Sequence, residues 1–354
     1  MKKQKLLFID THPLGTLTDL YMWCHYLKSD YDITLLCFER SKGESVKMEG
    51  ITIKEVSYKG SLMVRGIRFL LMALKTAMTF KGKIFVVYFK SCEFLKILLP
   101  WKWMNLDVRT LSVSREKSIR DKHDRELVRA CRLFNSVTII SNGLIEKTGV
   151  RTAKLLPLGS NVISGEPKQY TGLISLLYVG TLRGRNIDQT VRGLRLFIDS
   201  HPDIQLHYDI VGRGTEEEDA LIVQLIRELD LGDYVTYHGF VEHSCLKPFL
   251  DNANVGVAYV PVTEYYEFQP PTKVYEYALS GLFTIATDTF SNRELITPDN
   301  GVVIPDTPEG FEKGLEQFVA MRGSVEEAKV RESLGDYTWK NVIEKYLKPV
   351  ISVK

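Results

Sequence analysis

At 354 residues with 44% hydrophobic side chains, the chain is longer than one core usually organises, which predicts a soluble α/β protein of two domains. Its longest purely apolar runs, such as Phe69 to Leu74, fall far short of the ~20 residues of a membrane span, so neither a transmembrane helix nor a signal peptide is predicted. The net charge of +2 conceals an asymmetry: residues 1–160 carry 28 Lys and Arg against 15 Asp and Glu, and the remainder 18 against 29, so the first half is a cation with a balance of +13.

The first half alternates strand and helix. Lys5 to Asp10 reads as a buried strand, followed by the turn-rich loop Thr11 to Thr16, a helix over Asp19 to Lys28, and strands over Ile33 to Phe38 and Ile51 to Val56. A helix over Leu62 to Phe80, a strand over Ile84 to Tyr88, a charged helix over Arg115 to Phe134 and a strand over Val137 to Ile140 complete a Rossmann-like rhythm. The polar stretch between Leu158 and Gly172 reads as a linker. A second alternating set follows, with strands at Leu176 to Gly180, Leu206 to Gly212, Val235 to Gly239, Val255 to Tyr259 and Thr284 to Thr287. Helices are predicted at Asp188 to Ser200, Glu216 to Leu229 and Leu246 to Ala253. The division is thus 1–163, 164–335 and a terminal helix over 336–354, with two Rossmann-like domains facing across a cleft.

The segment from Phe268 to Asp288 is the most informative. Pro270 and Pro271 are read as setting the first turn of a helix, whose free N–H groups and positive dipole end attract anionic oxygens. Lys273 adds a mobile cation, and Glu276, four residues past Thr272 on the same face, suits the hydroxyls of a ribose. In Val179 to Asp188 two glycines let backbone approach a ligand, Thr181 offers a hydroxyl, and Arg185 either forks onto phosphate or is a solvated loop arginine. Ile210 to Thr215 has two glycines of a dinucleotide fingerprint but Glu217 in place of the third, so Gly212 marks either a tight turn against a base or ribose or a plain left-handed turn. Beyond Tyr237-His-Gly, the main chain of Phe240 and Val241 can pair with a base edge, while His238 reads as a packed strand residue.

The order and spacing of Val179-Gly-Thr-Leu, Ile210-Val-Gly-Arg-Gly, Leu231 to Val241, Ala253-Asn-Val-Gly-Val, Pro271 to Gly281 and Arg293-Glu-Leu-Ile resemble glycosyltransferase family 4 over roughly residues 173–300. The resemblance implies the GT-B fold and transfer of a sugar from a nucleotide diphosphate donor with retention at the anomeric carbon, without an obligatory metal or other cofactor. It implies that Arg185 and Lys273 meet the diphosphate and that Glu276 is the second glutamate of a Glu-x7-Glu motif. The first is replaced by Phe268, leaving Glu267 and Gln269 as the nearest polar candidates beside Pro271 and Thr272. On the acceptor side it points to the loop His12, Gly15, Thr16 and to Arg109, which stands where the family carries a histidine. Arg109 either grips an acceptor phosphate or pairs with Asp107 or Asp121. Tyr337 to Tyr346 resembles the helix that closes the family's fold by crossing back to the first domain.

Lys59 to Leu106 holds nine Lys and Arg with the single acid Glu93. Helical spacing over Leu62 to Thr79 puts Arg65, Arg68, Lys75 and Thr76 on one side with apolar residues covering the rest, and Trp101 and Trp103 follow between lysines. Association with an anionic membrane surface is expected, on the inner face of the cell membrane. Five scattered cysteines predict reduced thiols in a cytosolic protein. Nucleic-acid binding is not expected, since no stacking module or recognition helix accompanies the charge. The preferred reading is a transferase acting on a saccharide acceptor, lipid-linked, in surface polysaccharide biosynthesis. The alternatives are a non-catalytic nucleotide-sugar-binding protein and a sugar-nucleotide epimerase.

Overall fold

A computed structural model describes residues 3–41, 46–112 and 116–352; Arg115, expected to open the charged helix, lies outside them. The chain divides into two compact units, Met1–Leu158 with Trp339–Lys354, and Gly159–Thr338.

The first unit is built on seven strands, β1 (Gln4–Ile9), β2 (Tyr31–Phe38), β3 (Ile51–Val56), β4 (Lys83–Val87), β5 (Met104–Val108), β6 (Ser136–Ile139) and β7 (Lys154–Leu155). They pair in parallel in the order β3-β2-β1-β4-β5-β6-β7. Between them run α1 (Thr18–Leu27), α2 (Leu62–Thr79), α3 (Glu93–Leu98), α4 (Lys117–Cys131) and α5 (Asn142–Thr148). A parallel sheet covered on both faces requires strands apolar on both faces, and Leu6, Leu7, Phe8 and Ile9 of β1 are fully buried. The polar residues of β5 meet at Thr138, which accepts from the Asn105 amide at 3.0 Å and donates to Asp107 at 2.5 Å.

Helix α2 differs from its expected polarity. Arg68 turns back to donate to the carbonyls of Ser57 and Lys59, Arg65 stacks on Tyr58 at 4.0 Å, and Thr76 is buried. The outward face is apolar instead, with Leu62 79%, Met63 73%, Ile67 53% and Leu71 61% exposed. The face that packs carries Phe69, Ala73 and Ala77 beside Thr76 while Lys75 is exposed, so apolar residues lie on both sides of the helix and spacing alone does not divide it into a polar and an apolar face.

The second unit carries β8 (Ile174–Val179), β9 (Leu206–Val211), β10 (Val235–Gly239), β11 (Val255–Ala258), β12 (Phe283–Thr287) and β13 (Gly301–Ile304), in the parallel order β10-β9-β8-β11-β12-β13. Its helices are α6 (Asp188–Ser200), α7 (Glu216–Glu228), α8 (Lys247–Asn252), α9 (Thr272–Leu279), α10 (Phe290–Leu295), α11 (Pro308–Met321) and α12 (Glu327–Ser333). The strand order reverses between β8 and β11, the topological switch point at whose carboxyl edge open α/β sheets bind ligands. The stretch expected as a linker is instead a packed strap on this unit. Tyr170 is buried and donates to the Gly281 carbonyl, the Lys168 ammonium caps the last carbonyls of α8 at Leu250 and Asp251, and Arg331 holds the carbonyls of Ser164 and Glu166.

Both units are Rossmann-like, so the architecture is a two-Rossmann-domain α/β fold. The chain passes between them at Leu158/Gly159 and Thr338/Trp339, against the expected 163/164 and 335/336. The terminal segment comprises α13 (Trp339–Val342), a π-helical turn over Ile343–Leu347 and α14 (Lys348–Ile351). Trp339, Val342, Leu347 and Ile351 join Leu20, Trp23 and Leu27 in the first unit's core, and Lys348 pairs with Asp30 at 2.6 Å.

Candidate functional site

In the second unit β8, β9 and β10 end side by side, each at a glycine. Gly180 N–H donates to the Val211 carbonyl at 3.0 Å and Gly212 N–H to the Gly239 carbonyl at 2.8 Å. Gly212 has φ +145°, and a Cβ there would overlap the Gly180 carbonyl oxygen, so both conformation and space demand glycine. The result is a flat terrace of main chain at the switch point.

Helix α9 starts over this terrace. It opens at Thr272 with Pro271 as its N-cap, so Pro270 and Pro271 precede the first turn instead of forming it. Lys273, expected as a mobile cation, is only 9% exposed. Its ammonium stands 3.8 Å from the centre of the Tyr178 ring and beside Gly180. Among the described residues it has no hydrogen bond or ion pair. Burial pushes the Lys273 ammonium down to about 7; Arg185 acts in the same direction and Glu276 opposes it. The ring that carries it is held in place, since the Tyr178 hydroxyl donates to the Thr181 carbonyl at 2.6 Å. From α9, Tyr277 accepts from Val179 N–H at 2.8 Å. A buried, unpaired cation beside a helix start is a receptor for an anion.

Arg185 lies in the loop after β8, its guanidinium 4.4 Å over the Tyr266 ring. That loop is braced by Gly184 N–H donating to Glu218 at 2.8 Å and by the Thr181 hydroxyl donating to the Arg213 carbonyl at 3.2 Å. Glu276 sits one turn along α9, 3.9 Å from the exposed His243 ring, whose pKa it raises. Phe240 follows Gly239 with its ring 65% exposed, and Val241 is half-buried. Lys273, Arg185, Glu276, Thr181 and Gly212 thus gather around the terrace. Tyr178 and His243 belong to the same constellation as Tyr266 and were not legible as such. Tyr178 occupies a strand position whose aromatic character reads equally as packing, and His243 acquires meaning only through Glu276.

Glu267 is committed elsewhere. Its carboxylate accepts from Phe290 N–H and from Arg293, each at 3.0 Å, and braces the start of α10. Phe268, in the position of the missing glutamate, packs 5.4 Å from the Phe290 ring. Gln269 N–H donates to the Tyr266 carbonyl at 3.3 Å and closes the turn that leads to Pro271.

In the first unit, His12 donates from Nδ1 at 2.8 Å and from its backbone N–H at 2.9 Å to the same Asp10 carboxylate oxygen; the side-chain hydrogen bond raises the imidazole pKa against the effect of burial. Gly15, with φ +81°, lies against Arg40, and Thr16 N–H closes the turn onto Pro13. Arg109 does not face solvent with a vacant fork. It pairs with Asp19 at 2.5 Å, donates to the Leu156 carbonyl at 2.7 Å, lies 3.8 Å from the fully buried Asp107, and is itself 11% exposed. Of the two roles left open for it, the geometry is that of the ion pair, joined by Asp19 in place of Asp121.

Residues 174–320 match the family model of glycosyl transferases group 1. No curated protein matches the chain. Among solved structures it is similar to a sucrose-phosphate synthase of Thermosynechococcus elongatus, at 15% identity over 97% of both chains with a TM-score of 0.73. The lipopolysaccharide outer core galactosyltransferase WaaB aligns at 14% identity over 98% of this chain and 99% of that one, TM-score 0.74. Anabaena HepE, solved with UDP, aligns at 12% identity over 99% and 100%, TM-score 0.74. These likenesses place the two Rossmann-like domains in the GT-B fold. The likeness to group 1 glycosyl transferases thus lies in residues 174–320 of the second unit and, with the GT-B fold, supports a glycosyltransferase.

Proposed function

We propose that the chain transfers a sugar from a nucleotide diphosphate donor, with retention at the anomeric carbon, to a lipid-linked saccharide in surface polysaccharide biosynthesis, as a peripheral protein of the cytoplasmic face of the cell membrane. The observation that carries the donor assignment is the buried ammonium of Lys273, without an ion pair, over the glycine terrace and near Arg185. A diphosphate supplies the missing counter-charge, α9 points its first N–H groups at it, and Glu276 accepts from the ribose hydroxyls. The charge that develops on the leaving diphosphate is met by lysine and arginine, so the reading requires no resident metal. In the reaction the acceptor oxygen bonds to the anomeric carbon as the bond from that carbon to the phosphate oxygen breaks. The bonding pair leaves with the diphosphate, and the acceptor's proton passes to the departing phosphate oxygen on the same face.

Uridine is the base to try first, because structures of HepE contain UDP and UDP-glucose and the pneumococcal O-GlcNAc transferase GtfA was solved with UDP and GlcNAc. The membrane location is supported by the +13 balance of residues 1–160 and by the apolar outer face of α2. No helix among the described residues is long and apolar enough to cross a membrane. The test is a thermal-shift series with UDP, GDP, ADP, CMP and dTDP and their sugars, followed by NMR assignment of the product anomer. One nucleotide family raising the melting temperature, with a retained anomer, is expected. No shift with any of them overturns the donor assignment, and an inverted product overturns the front-face mechanism.

A further inference from the structure

A groove of about 1130 Å³ opens in the first unit at the carboxyl ends of β1 to β4. Its two ends differ in chemistry. One wall is the beginning of α2, where Leu62, Met63 and Ile67 line the groove and at the same time project outward, 79%, 73% and 53% exposed. Leu71 continues this exposed apolar face one turn along α2, and the neighbouring α3 exposes Phe94 and Ile97. Exposed apolar surface of this kind beside a groove marks a contact site for something apolar.

The other end is cationic. Arg40 lines it with its Nε buried and without an acceptor, and Lys90 has no partner among the described residues. His12 lines it too, fixed by Asp10. The carboxylate here, Glu39, is already engaged by the Ser57 hydroxyl at 2.8 Å and Tyr58 N–H at 2.9 Å. Gly66 also lines the groove, and an added Cβ there meets nothing within 4 Å.

We infer that this groove seats an amphiphile, a hydrocarbon chain carrying a phosphate or diphosphate, with the phosphate at Arg40, Lys90 and His12 and the chain along Leu62, Met63 and Ile67. The inference deepens the reading proposed above by naming the chemical class of the acceptor, and rests on that reading only for the identity of the bound molecule as acceptor. The apolar face then has a defined occupant, and the cations are matched in sign. The hydroxyls of Thr11, Thr16 and Ser91 around the cationic end suit the first sugar attached to the phosphate.

Calorimetry of the full chain with dodecyl phosphate, below its micellar concentration, tests this against inorganic phosphate and a neutral dodecyl glucoside. The amphiphilic phosphate is expected to bind at least tenfold more tightly than either. Gly66→Trp fills the groove from a helical position that accepts a side chain, and weakens the binding at least tenfold. Leu62→Ser with Met63→Ser alters only highly exposed positions, so it keeps the fold and weakens the alkyl phosphate while leaving inorganic phosphate unchanged. UDP titration of the same proteins separates the two hypotheses. UDP binding without dodecyl phosphate binding overturns the groove assignment alone, and the converse overturns the donor reading alone. Undiminished dodecyl phosphate binding by Gly66→Trp overturns it as well. So does binding to phosphatidylglycerol vesicles without binding to the monomeric amphiphile, which makes the face a bilayer contact instead.

Discussion

The Lys273 ammonium lies 3.8 Å from the centre of the Tyr178 ring and is 9% exposed, so the second unit buries a cation whose charge the surroundings destabilise. The folded chain holds this lysine at about 7 against an ordinary 10.5. Between those values the unfolded chain binds the extra proton, so stability rises with pH through that window, and below about 7 the full burial penalty is present. Lys273→Met removes a penalty on the order of a few kcal/mol, keeps much of the packing volume, and is expected to raise the melting temperature most at pH 6 to 7. It should also weaken UDP about tenfold to a hundredfold, since a charge-assisted contact is lost.

Under the proposed donor assignment the same lysine couples binding to protonation: with the lysine held at about 7, a diphosphate bound at pH 8 is expected to restore the ammonium and take up a proton. Titrations of UDP in buffers of different ionisation enthalpy should show uptake between pH 7 and 9 and affinity falling as pH rises above 7. No proton uptake in wild type, or uptake that survives in Lys273→Met, assigns the coupling elsewhere.

Arg109 is the counterweight for two carboxylates, and its removal leaves Asp19 and the fully buried Asp107 uncompensated. Desolvation raises the Asp107 carboxyl to about 7 while Arg109 and Thr138 pull it down. The folded state therefore binds more protons than the unfolded one between 3.8 and 7, and stability falls as pH rises through that range. Arg109→Met is expected to cost about 3 kcal/mol or more, and more at pH 8 than at pH 5, in chemical denaturation. A cost that is small and flat with pH assigns Arg109 to ligand binding after all.

Glu276→Ala tests the ribose assignment. Glu276 is half-buried at the mouth of the terrace and touches His243, so its loss should leave stability within about 0.5 kcal/mol while weakening UDP about tenfold. The His243 pKa, raised by this carboxylate, should fall back toward its ordinary value, which proton NMR reads directly. Unchanged UDP affinity with a shifted histidine would confine Glu276 to the ion pair.

Much of the second unit was legible because its strands are short apolar runs that stop at glycines: Val235–Gly239 and Asp188–Ser200 fall where the pattern puts them, and Gly180, Gly212 and Gly239 mark the edge of the sheet. Charge states were not legible. Lys273 reads as a flexible surface cation because helical spacing says nothing about what covers a residue, and the ring it packs against, Tyr178, comes from a strand far away in sequence. The strap over residues 159–172 failed for a related reason. Its composition is that of a linker, yet Tyr170, Lys168 and Ser164 find partners in Gly281, Leu250 and Ser280, which no local pattern reveals. In α2 helical spacing grouped Arg65, Arg68, Lys75 and Thr76, yet Thr76 packs inward with Phe69, Ala73 and Ala77 while Lys75 stays exposed.

Gly212 and Gly66 mark opposite ends of what glycine does here, and one pair of variants separates them. At Gly212, φ is +145° and the space of a Cβ is taken by the Gly180 carbonyl, so Gly212→Ala must push β8 and β9 apart at their carboxyl ends. A loss of about 3 kcal/mol or more is expected, and donor affinity should drop in whatever fraction still folds. At Gly66 the backbone is helical and the neighbourhood empty, so Gly66→Ala should stabilise the chain by about 0.5 to 1 kcal/mol with no effect on UDP. Melting temperatures moving in opposite directions are the expected result. Because the glycines lie in different units, a donor affinity that falls for Gly212→Ala alone ties the terrace, and not global stability, to nucleotide binding.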